Sequence, residues 1–382
     1  MTGILNEEQE KDVLLRGFTR RSFFRLAAMV AGASTMPFYD EPAMAQLSKI
    51  SNIPPGAVMI NANENPLGPC PEAMEAVRDI VVKGGRYLYG ETDKLQNTLA
   101  EQEDLKPESV RIFVGSSPAL HQAVLAFTSP TRPFITGDPG YEAGIRAANF
   151  IGSPVINVPL TSNYAHDVKA MAAASPTAGL FYVCNPNNPT GTLTPKSDIE
   201  WLVANKPAGS IVMIDEAYTH IAGAPFNSDL VAQGKDVVIL RTFSKIYGMA
   251  GLRAGAALAR PDLLEKLGGW GATMMPITGM AAATASLQTK DLVPTRRKMI
   301  GQVREDTFNF LEKNNYKYVP SVSNCFMVDT GKPGMETVMA MRKENVFIGR
   351  VWPTWPTHVR VTVGTADEME KFQAAFKKVM CA

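Results

Sequence analysis

A lysine next to a serine lies between two apolar segments in the second half of the chain. Residues 237–240 and 254–259 have the composition of buried strands, and Ser244, Lys245 and Arg253 lie between them. A buried amine loses its proton more readily and can then form a Schiff base with an aldehyde, whereas a guanidinium suits an anionic group. A lone lysine usually lies in an exposed turn. The surrounding residues instead favour covalent carbonyl chemistry at Lys245.

Other polar residues also follow apolar runs, at the point where each run ends. They are Ser116 and Ser117 after residues 110–114, Tyr141 after 134–136, Asn188 after 178–184, and Asp215 and Tyr218 after 211–214. In open α/β sheets, ligands bind outside the carboxyl ends of the strands. The two serines also precede a predicted helix, whose N–H groups and dipole favour a phosphate. The sequence therefore predicts one ligand site at one edge of a sheet in an α/β fold.

The composition argues against several classes of partner. With 38 Lys+Arg and 37 Asp+Glu the formal net charge is +1, so we expect neither nucleic acid nor an anionic membrane surface as a partner. The four cysteines, at positions 70, 184, 325 and 381, show no metal-ligand spacing, and the four histidines are scattered. We therefore predict no metal site. Oxidation of a cysteine pair remains an open alternative.

Residues 1–45 have the pattern of an export signal. Arg20 and Arg21 precede two phenylalanines, the mildly apolar residues 26–38 follow, and a small-x-small pattern ends at Ala45. This order resembles a twin-arginine signal peptide, which implies cleavage after Ala45 and a periplasmic protein. The apolar residues are too few for a stable membrane anchor. An amphipathic N-terminal helix with chance arginines is the alternative. Either way, we expect this part of the chain to lie outside the fold.

Five segments of the chain together resemble those of pyridoxal-phosphate-dependent enzymes of fold type I. They are residues 61–69 (NANENPLGP), 185–191 (NPNNPTG), 215–218 (DEAY), 241–255 (RTFSKIYGMAGLRAG) and 360–365 (RVTVGT). Within that group they resemble the class I/II aminotransferases, and among these the histidinol-phosphate aminotransferases. The resemblance implies a large cofactor-binding domain over residues 46–285, with an N-terminal arm and a mostly parallel central sheet covered by helices on both faces. A small α+β domain would follow over residues 286–382.

The resemblance also implies how pyridoxal 5′-phosphate would be held. Lys245 would bind it as a Schiff base and move the Cα proton, and Asp215 would pair with the ring nitrogen. The remaining contacts would be Tyr218 and Asn188 to the ring oxygen, Tyr141 stacked on the ring, and Ser116, Ser117, Ser244 and Arg253 to the phosphate. Tyr87 would reach the phosphate of a neighbouring subunit. This last role implies a homodimer with shared active sites.

For the substrate, the resemblance assigns the α-carboxylate to Arg360 and further contacts to Asn188, Asn65 and Arg350. Trp352 and Trp355 would either form an aromatic pocket or pack a loop. The expected reaction moves an amino group from an amino acid, with aromatic ones as candidates, to a 2-oxo acid. The alternatives are histidinol-phosphate transamination, or decarboxylation, elimination or racemisation at the same site. A binding module would have lost Lys245, Asp215 or Arg360, and all three are present.

Overall fold

The computed structural model of this chain describes residues 7–19, 53–271 and 274–381. The predicted arginine pair and cleavage position lie outside these residues. The strands are β1 (Val58–Ile60), β2 (Val110–Phe113), β3 (Phe134–Asp138), β4 (Val155–Pro159), β5 (Leu180–Cys184), β6 (Ile211–Asp215), β7 (Val237–Thr242), β8 (Gly255–Ala259), β9 (Lys317–Val319), β10 (Cys325–Asp329), β11 (Val346–Ile348) and β12 (His358–Thr362). The helices are α1 (Glu7–Leu15), α2 (Pro71–Val81), α3 (Tyr89–Gln102), α4 (Ser117–Phe127), α5 (Ala143–Ile151), α6 (Val168–Ala173), α7 (Lys196–Asn205), α8 (Thr219–Ala222), α9 (Ser228–Ala232), α10 (Pro261–Gly268), α11 (Ile277–Gln288), α12 (Leu292–Lys313), α13 (Gly334–Lys343) and α14 (Ala366–Cys381).

A seven-stranded sheet with the order β2-β8-β7-β6-β5-β3-β4 forms the centre of the large domain. The strand β8 runs antiparallel to both of its neighbours, and the other pairs are parallel. Every residue of β5, β6, β7 and β8 is buried. Strands covered on both faces need apolar residues throughout, which explains why these segments read as continuous apolar runs. The predicted α/β fold with a mostly parallel central sheet is confirmed.

The C-terminal part of the chain contains a second, antiparallel sheet with the order β12-β10-β9. The 22-residue helix α12 leads into it. The strand β1 pairs in parallel with β11, so residues 58–60 are bonded to the C-terminal part of the chain. Arg360 on β12 and the turn between β11 and β12 therefore lie near residues 61–65, which follow β1.

Residues 7–19 pack against the large domain, which differs from the expectation that the front of the chain lies outside the fold. Val13 and Phe18 are buried in the main apolar core. The guanidinium of Arg16 donates to the carbonyl oxygens of Leu125, at 2.5 Å, and Thr128, at 2.6 Å. A cation at the carboxyl end of a helix such as α4 interacts favourably with its dipole and its unpaired carbonyl groups. Among the described residues, no helix has the length and apolar character needed to span a membrane.

Candidate active site

Nine of the predicted site residues line one pocket. They are Ser116, Ser117, Tyr141, Asn188, Asp215, Tyr218, Ser244, Lys245 and Arg253. Asp215 is the last residue of β6, Asn188 follows β5 and Lys245 follows β7, so neighbouring parallel strands deliver them to one edge of the sheet. This is the placement expected from the strand-end rule. The residues predicted at Tyr87, Asn65, Arg350 and Arg360 lie outside this lining.

The N-terminus of α4 and the side chain of Arg253 form one end of the pocket. Ser116 occupies the N-cap position but makes no side-chain capping bond, and the first turn of α4 contains no acidic residue. A Cβ atom on Gly115 would lie 2.5 Å from Nη2 of Arg253, so glycine is required for the arginine to lie this close. The Ser244 hydroxyl accepts from Thr242 Oγ1 at 3.0 Å, which leaves its own proton for a ligand. These donors fit a phosphate.

Asp215 is held at the base of the pocket by two donors. Its Oδ2 accepts from the Tyr182 hydroxyl at 2.7 Å, and its Oδ1 accepts from the Ala217 N–H at 3.1 Å. Burial raises the pKa of Asp215, against the opposing effects of Tyr182, Ala217 and the nearby Lys245 charge. A cationic ring nitrogen placed against this carboxylate would favour its charged form. The carboxylate therefore fits the pyridinium group of pyridoxal phosphate.

Asn63, which the sequence analysis missed, connects two of the predicted catalytic residues. Its carbonyl oxygen accepts from Lys245 Nζ at 2.8 Å, and its Nδ2 donates to the Tyr218 hydroxyl at 3.0 Å. The φ of Asn63 is 52°, a left-handed conformation that asparagine tolerates better than most residues. In the sequence, the asparagine-rich segment 61–65 indicates a polar loop, but it does not indicate the backbone conformation that brings Asn63 to Lys245. Lys245 is 8% exposed, so Asn63 fixes the amine in a nearly dry site.

Asn65 lies beside the lysine but does not line the pocket. Its Nδ2 donates to the carbonyl oxygens of Lys245 and Ile246, both at 3.1 Å. The side chain therefore fixes the backbone that carries the lysine. The structure thus gives Asn65 a supporting position, and the substrate contact that the resemblance implies stays a prediction.

Arg360 on β12 meets Asn188 at the side of the pocket. Its Nη1 donates to Asn188 Oδ1 at 2.9 Å, and its Nη2 donates to the carbonyl oxygen of Asn61 at 2.6 Å. The side chain is fully buried. Two of the four residues that the sequence analysis assigned to the substrate, Arg360 and Asn188, are thus in direct contact. They lie on different domains, so their contact depends on how the domains pack.

Arg350 is already paired with a carboxylate, Glu142, which the sequence analysis did not single out. Its Nη1 contacts both carboxylate oxygens, at 2.8 and 3.1 Å. The two tryptophans pack the loop between β11 and β12: Trp352 is 1% exposed and donates from Nε1 to the Gly140 carbonyl oxygen at 2.8 Å. Trp355 packs edge-on against Tyr164, with ring centroids 5.6 Å apart. Neither tryptophan lines the pocket.

Tyr87, the last of the predicted site residues, lies outside the pocket lining. Tyr87 is 67% exposed and stacks near Tyr89. Cys70, Cys184 and Cys325 are buried thiols, whereas Cys381 is exposed, and none of the four forms a disulfide. In the ranges that the structure describes, no cluster of three or more His, Cys, Asp or Glu side chains could hold a metal ion.

Comparisons with known proteins identify relatives over almost the whole described chain. Residues 56–376 match the sequence family of class I and II aminotransferases. The histidinol-phosphate aminotransferase of Symbiobacterium thermophilum is 33% identical over 85% of this chain and 90% of its own length. The aromatic amino acid aminotransferase of Cutibacterium acnes is 32% identical over 82% of this chain and 90% of its own length. The crystal structure of the Sinorhizobium meliloti histidinol-phosphate aminotransferase with pyridoxal 5′-phosphate has a TM-score of 0.79 and 26% identity, covering 91% of this chain and 96% of that chain.

Proposed function

Since this chain belongs to the class I and II aminotransferases and is thus a pyridoxal-phosphate-dependent transaminase, we propose that it moves the amino group of an amino acid, with aromatic amino acids as the leading candidates, to a 2-oxo acid. The main support for the proposal is that one pocket is lined by Lys245, Asp215 and Tyr218 and has Arg360 beside it. The relatives include both histidinol-phosphate and aromatic amino acid aminotransferases. Histidinol phosphate is therefore the second candidate donor.

The residues of the pocket supply binding, orientation and proton transfer. When bound, pyridoxal phosphate provides an electron sink for a carbanion at the substrate Cα. Lys245 would hold the cofactor covalently until the substrate amine displaces it, and the freed lysine amine would take the proton from the substrate Cα and pass it to the cofactor. Asp215 would hold the ring nitrogen, and the serines with Arg253 would hold the phosphate. Burial of Lys245 and Asp215, at 8% and 5% exposure, keeps water away from the proton transfer.

Arg360 would direct the reaction by holding the substrate α-carboxylate. A guanidinium binds a carboxylate through two parallel hydrogen bonds, which fixes both position and orientation. Asn188 Oδ1 and the Asn61 carbonyl oxygen accept from the two terminal nitrogens of Arg360, so its plane is fixed before substrate arrives. An α-carboxylate held in this way remains attached while the Cα proton moves. This arrangement favours transamination over decarboxylation.

The test follows the cofactor and the product together. The purified enzyme is mixed with one amino acid at a time, without any 2-oxo acid. Loss of the visible absorption of the lysine-bound cofactor, together with release of a 2-oxo acid, identifies an amino donor. We expect Lys245→Ala to abolish both signals while the far-UV circular dichroism is kept. Lys206→Ala, at a mostly buried lysine paired with Asp236 outside the pocket, serves as the control.

Two results would contradict the proposal. Transamination by the Lys245→Ala variant at the wild-type rate would show that the site has been wrongly assigned. Release of carbon dioxide or ammonia without any 2-oxo acid would instead indicate decarboxylation or elimination. Histidinol phosphate is included among the donors, so its use over aromatic amino acids would select the second candidate.

We also propose that two chains associate and that Tyr87 completes the partner's phosphate site. Tyr87, Tyr89 and Val82 are 67%, 69% and 82% exposed, an apolar surface that suits an interface. The test mixes Lys245→Ala chains with Tyr87→Phe chains. In a mixed dimer, one site then has both Lys245 and Tyr87, and activity should exceed the sum of the two parent variants. Activity no greater than that sum, in mixed dimers verified by mass spectrometry, would place Tyr87 outside the partner's site.

We further propose export by the twin-arginine route with cleavage after Ala45. The order of the arginine pair, apolar segment and small residues supports the proposal. Cleavage there would also release residues 7–19 from the large domain. N-terminal sequencing of the periplasmic protein should begin at Gln46, and replacement of Arg20 and Arg21 by lysine should retain the protein in the cytoplasm. An intact Met1 on the periplasmic protein would overturn the proposal.

A further inference from the structure

We propose that Glu142 sets substrate specificity by neutralising Arg350, so that the site discriminates against substrates with a second carboxylate. The inference rests on the proposed function, because it concerns which amino acids and 2-oxo acids the transaminase accepts. A second arginine near the α-carboxylate position could bind the side-chain carboxylate of a dicarboxylic substrate. In this chain that arginine already has an internal carboxylate partner.

Arg350 lies next to the arginine that holds the α-carboxylate in the proposed function. The Arg360 N–H donates to the Arg350 carbonyl oxygen at 3.2 Å. The Trp352 ring lies close to both side chains, with its centroid 4.5 Å from Cζ of Arg350 and 5.5 Å from Cζ of Arg360. The two guanidinium groups therefore share one aromatic ring. A carboxylate on the substrate side chain would have to approach this same region.

Glu142 is built into the site from the other domain. It follows Tyr141, which lines the cofactor pocket, and contacts Arg350 Nη1 through both carboxylate oxygens. The side chains of Arg350 and Glu142 are only 9% and 23% exposed. A pair shielded to this degree is screened weakly by salt, and separating its members leaves buried charge without a partner. A substrate carboxylate would have to displace Glu142 or lie beside it.

The loop that carries Arg350 is fixed against the segment that carries Glu142. The Trp352 Nε1 donates to the Gly140 carbonyl oxygen at 2.8 Å, and the Thr354 hydroxyl donates to Asp138 Oδ2 at 2.6 Å. Both bonds join residues that follow Arg350 in the loop to residues that precede Glu142 in its segment. These two bonds therefore help to fix Glu142 opposite Arg350, so the ion pair does not depend on one flexible side chain.

The experiment compares two 2-oxo acids that differ by the second carboxylate, with the best amino donor held constant. We would measure kcat/KM for 2-oxoglutarate and for a 2-oxo acid with an apolar side chain. Glu142→Gln keeps the size of the side chain and removes its charge, which frees Arg350 to bind the second carboxylate. We expect the ratio of the two kcat/KM values to shift at least tenfold toward 2-oxoglutarate, through a lower KM.

Three further variants separate the ion pair from a general loosening of the loop. Thr354→Val breaks the neighbouring bond to Asp138 without touching Arg350, and its ratio should equal that of the wild type. Glu142→Gln combined with Arg350→Gln should lose the gain, since the freed guanidinium is absent. Arg350→Gln alone leaves the Glu142 carboxylate unpaired and should not raise kcat/KM for 2-oxoglutarate. A rise in that variant would contradict the claim even if Glu142→Gln folds poorly.

An unchanged ratio in Glu142→Gln, with the wild-type thermal midpoint, would overturn the inference. A gain for 2-oxoglutarate that persists in the combined Glu142→Gln and Arg350→Gln variant would overturn it as well, because the gain would then not come from the freed guanidinium. Failure of the proposed function has a different signature, since the wild-type enzyme would then release no 2-oxo acid from any donor.

Discussion

Replacing Tyr182 with phenylalanine tests whether the carboxylate of Asp215 depends on a donor from the neighbouring strand. The change removes one hydroxyl group and leaves the ring, whose stacking on Phe134 at 6.1 Å is kept. Asp215 Oδ2 then loses its 2.7 Å bond, while the bond from Ala217 to Oδ1 remains. A hydrogen bond to a charged group contributes about 1.5–3 kcal/mol. We therefore expect cofactor affinity to fall by about 10- to 100-fold, at 1.4 kcal/mol for each factor of ten.

The pH dependence distinguishes this effect from a simple loss of packing. Burial already raises the pKa of Asp215, and Tyr182 opposes that rise by donating to the charged form. In the variant the pKa rises further, so the carboxylate takes up a proton at a higher pH than in the wild type. A protonated Asp215 no longer pairs with a pyridinium nitrogen. The affinity of the variant for pyridoxal phosphate should therefore begin to fall at a higher pH as the solution is acidified.

The assay is a titration of the apoprotein with pyridoxal phosphate, followed by absorbance at several pH values, with kcat measured on the saturated enzyme. Tyr318→Phe is the matched control, because the Tyr318 hydroxyl also donates to a carboxylate at 2.7 Å, that of Glu312 on the surface. It should leave the dissociation constant unchanged. Equal dissociation constants for Tyr182→Phe and the wild type at every pH would refute the reasoning.

Two predictions concern stability. Arg241 is 3% exposed and bonds to Glu103 at 2.8 and 3.0 Å and also to Glu216, so Arg241→Gln should lower the free energy of unfolding by about 3–5 kcal/mol because it leaves two buried carboxylates unpaired. Arg260→Gln, at an exposed cluster with Asp236 and Asp262, should cost about 1 kcal/mol or less in the same urea titration, and equal midpoints for the two variants would contradict the argument. Burial lowers the pKa of His166 and His220 to about 4 and that of His121 to about 3, below an unfolded value of 6.5. Because the unfolded chain then binds more protons, stability is fully present above about pH 6.5 and is lost as the pH falls toward 4. His166→Gln should reduce that loss by about 3 kcal/mol, and an unchanged slope of unfolding free energy against pH would show that His166 does not contribute.

The residues that carry the reaction were predictable because parallel strands end at a common edge. Asp215 directly follows one apolar run and Lys245 lies shortly after another, and the sequence alone indicates that they share that edge. Tyr182 was not predictable, since it lies inside the apolar strand β5 and reads as a core aromatic residue. Its contact depends on the register in which Cys184 pairs with Asp215. Tyr182, two residues before Cys184, lies on the same face of the strand, and only a side chain as long as tyrosine reaches the carboxylate diagonally.

The residues proposed to select the substrate come from contacts between the two domains, which no local pattern encodes. Glu142 and Arg350 are separated by 208 positions, and Asn188 and Arg360 by 172. In both pairs, the sequence around one residue does not indicate which residue it contacts. The chemistry of proton transfer, by contrast, depends on residues at neighbouring strand ends of one sheet. A sequence of this kind therefore indicates the reaction class more directly than the substrate, because the substrate is recognised where the β11–β12 loop and β12 meet the large domain.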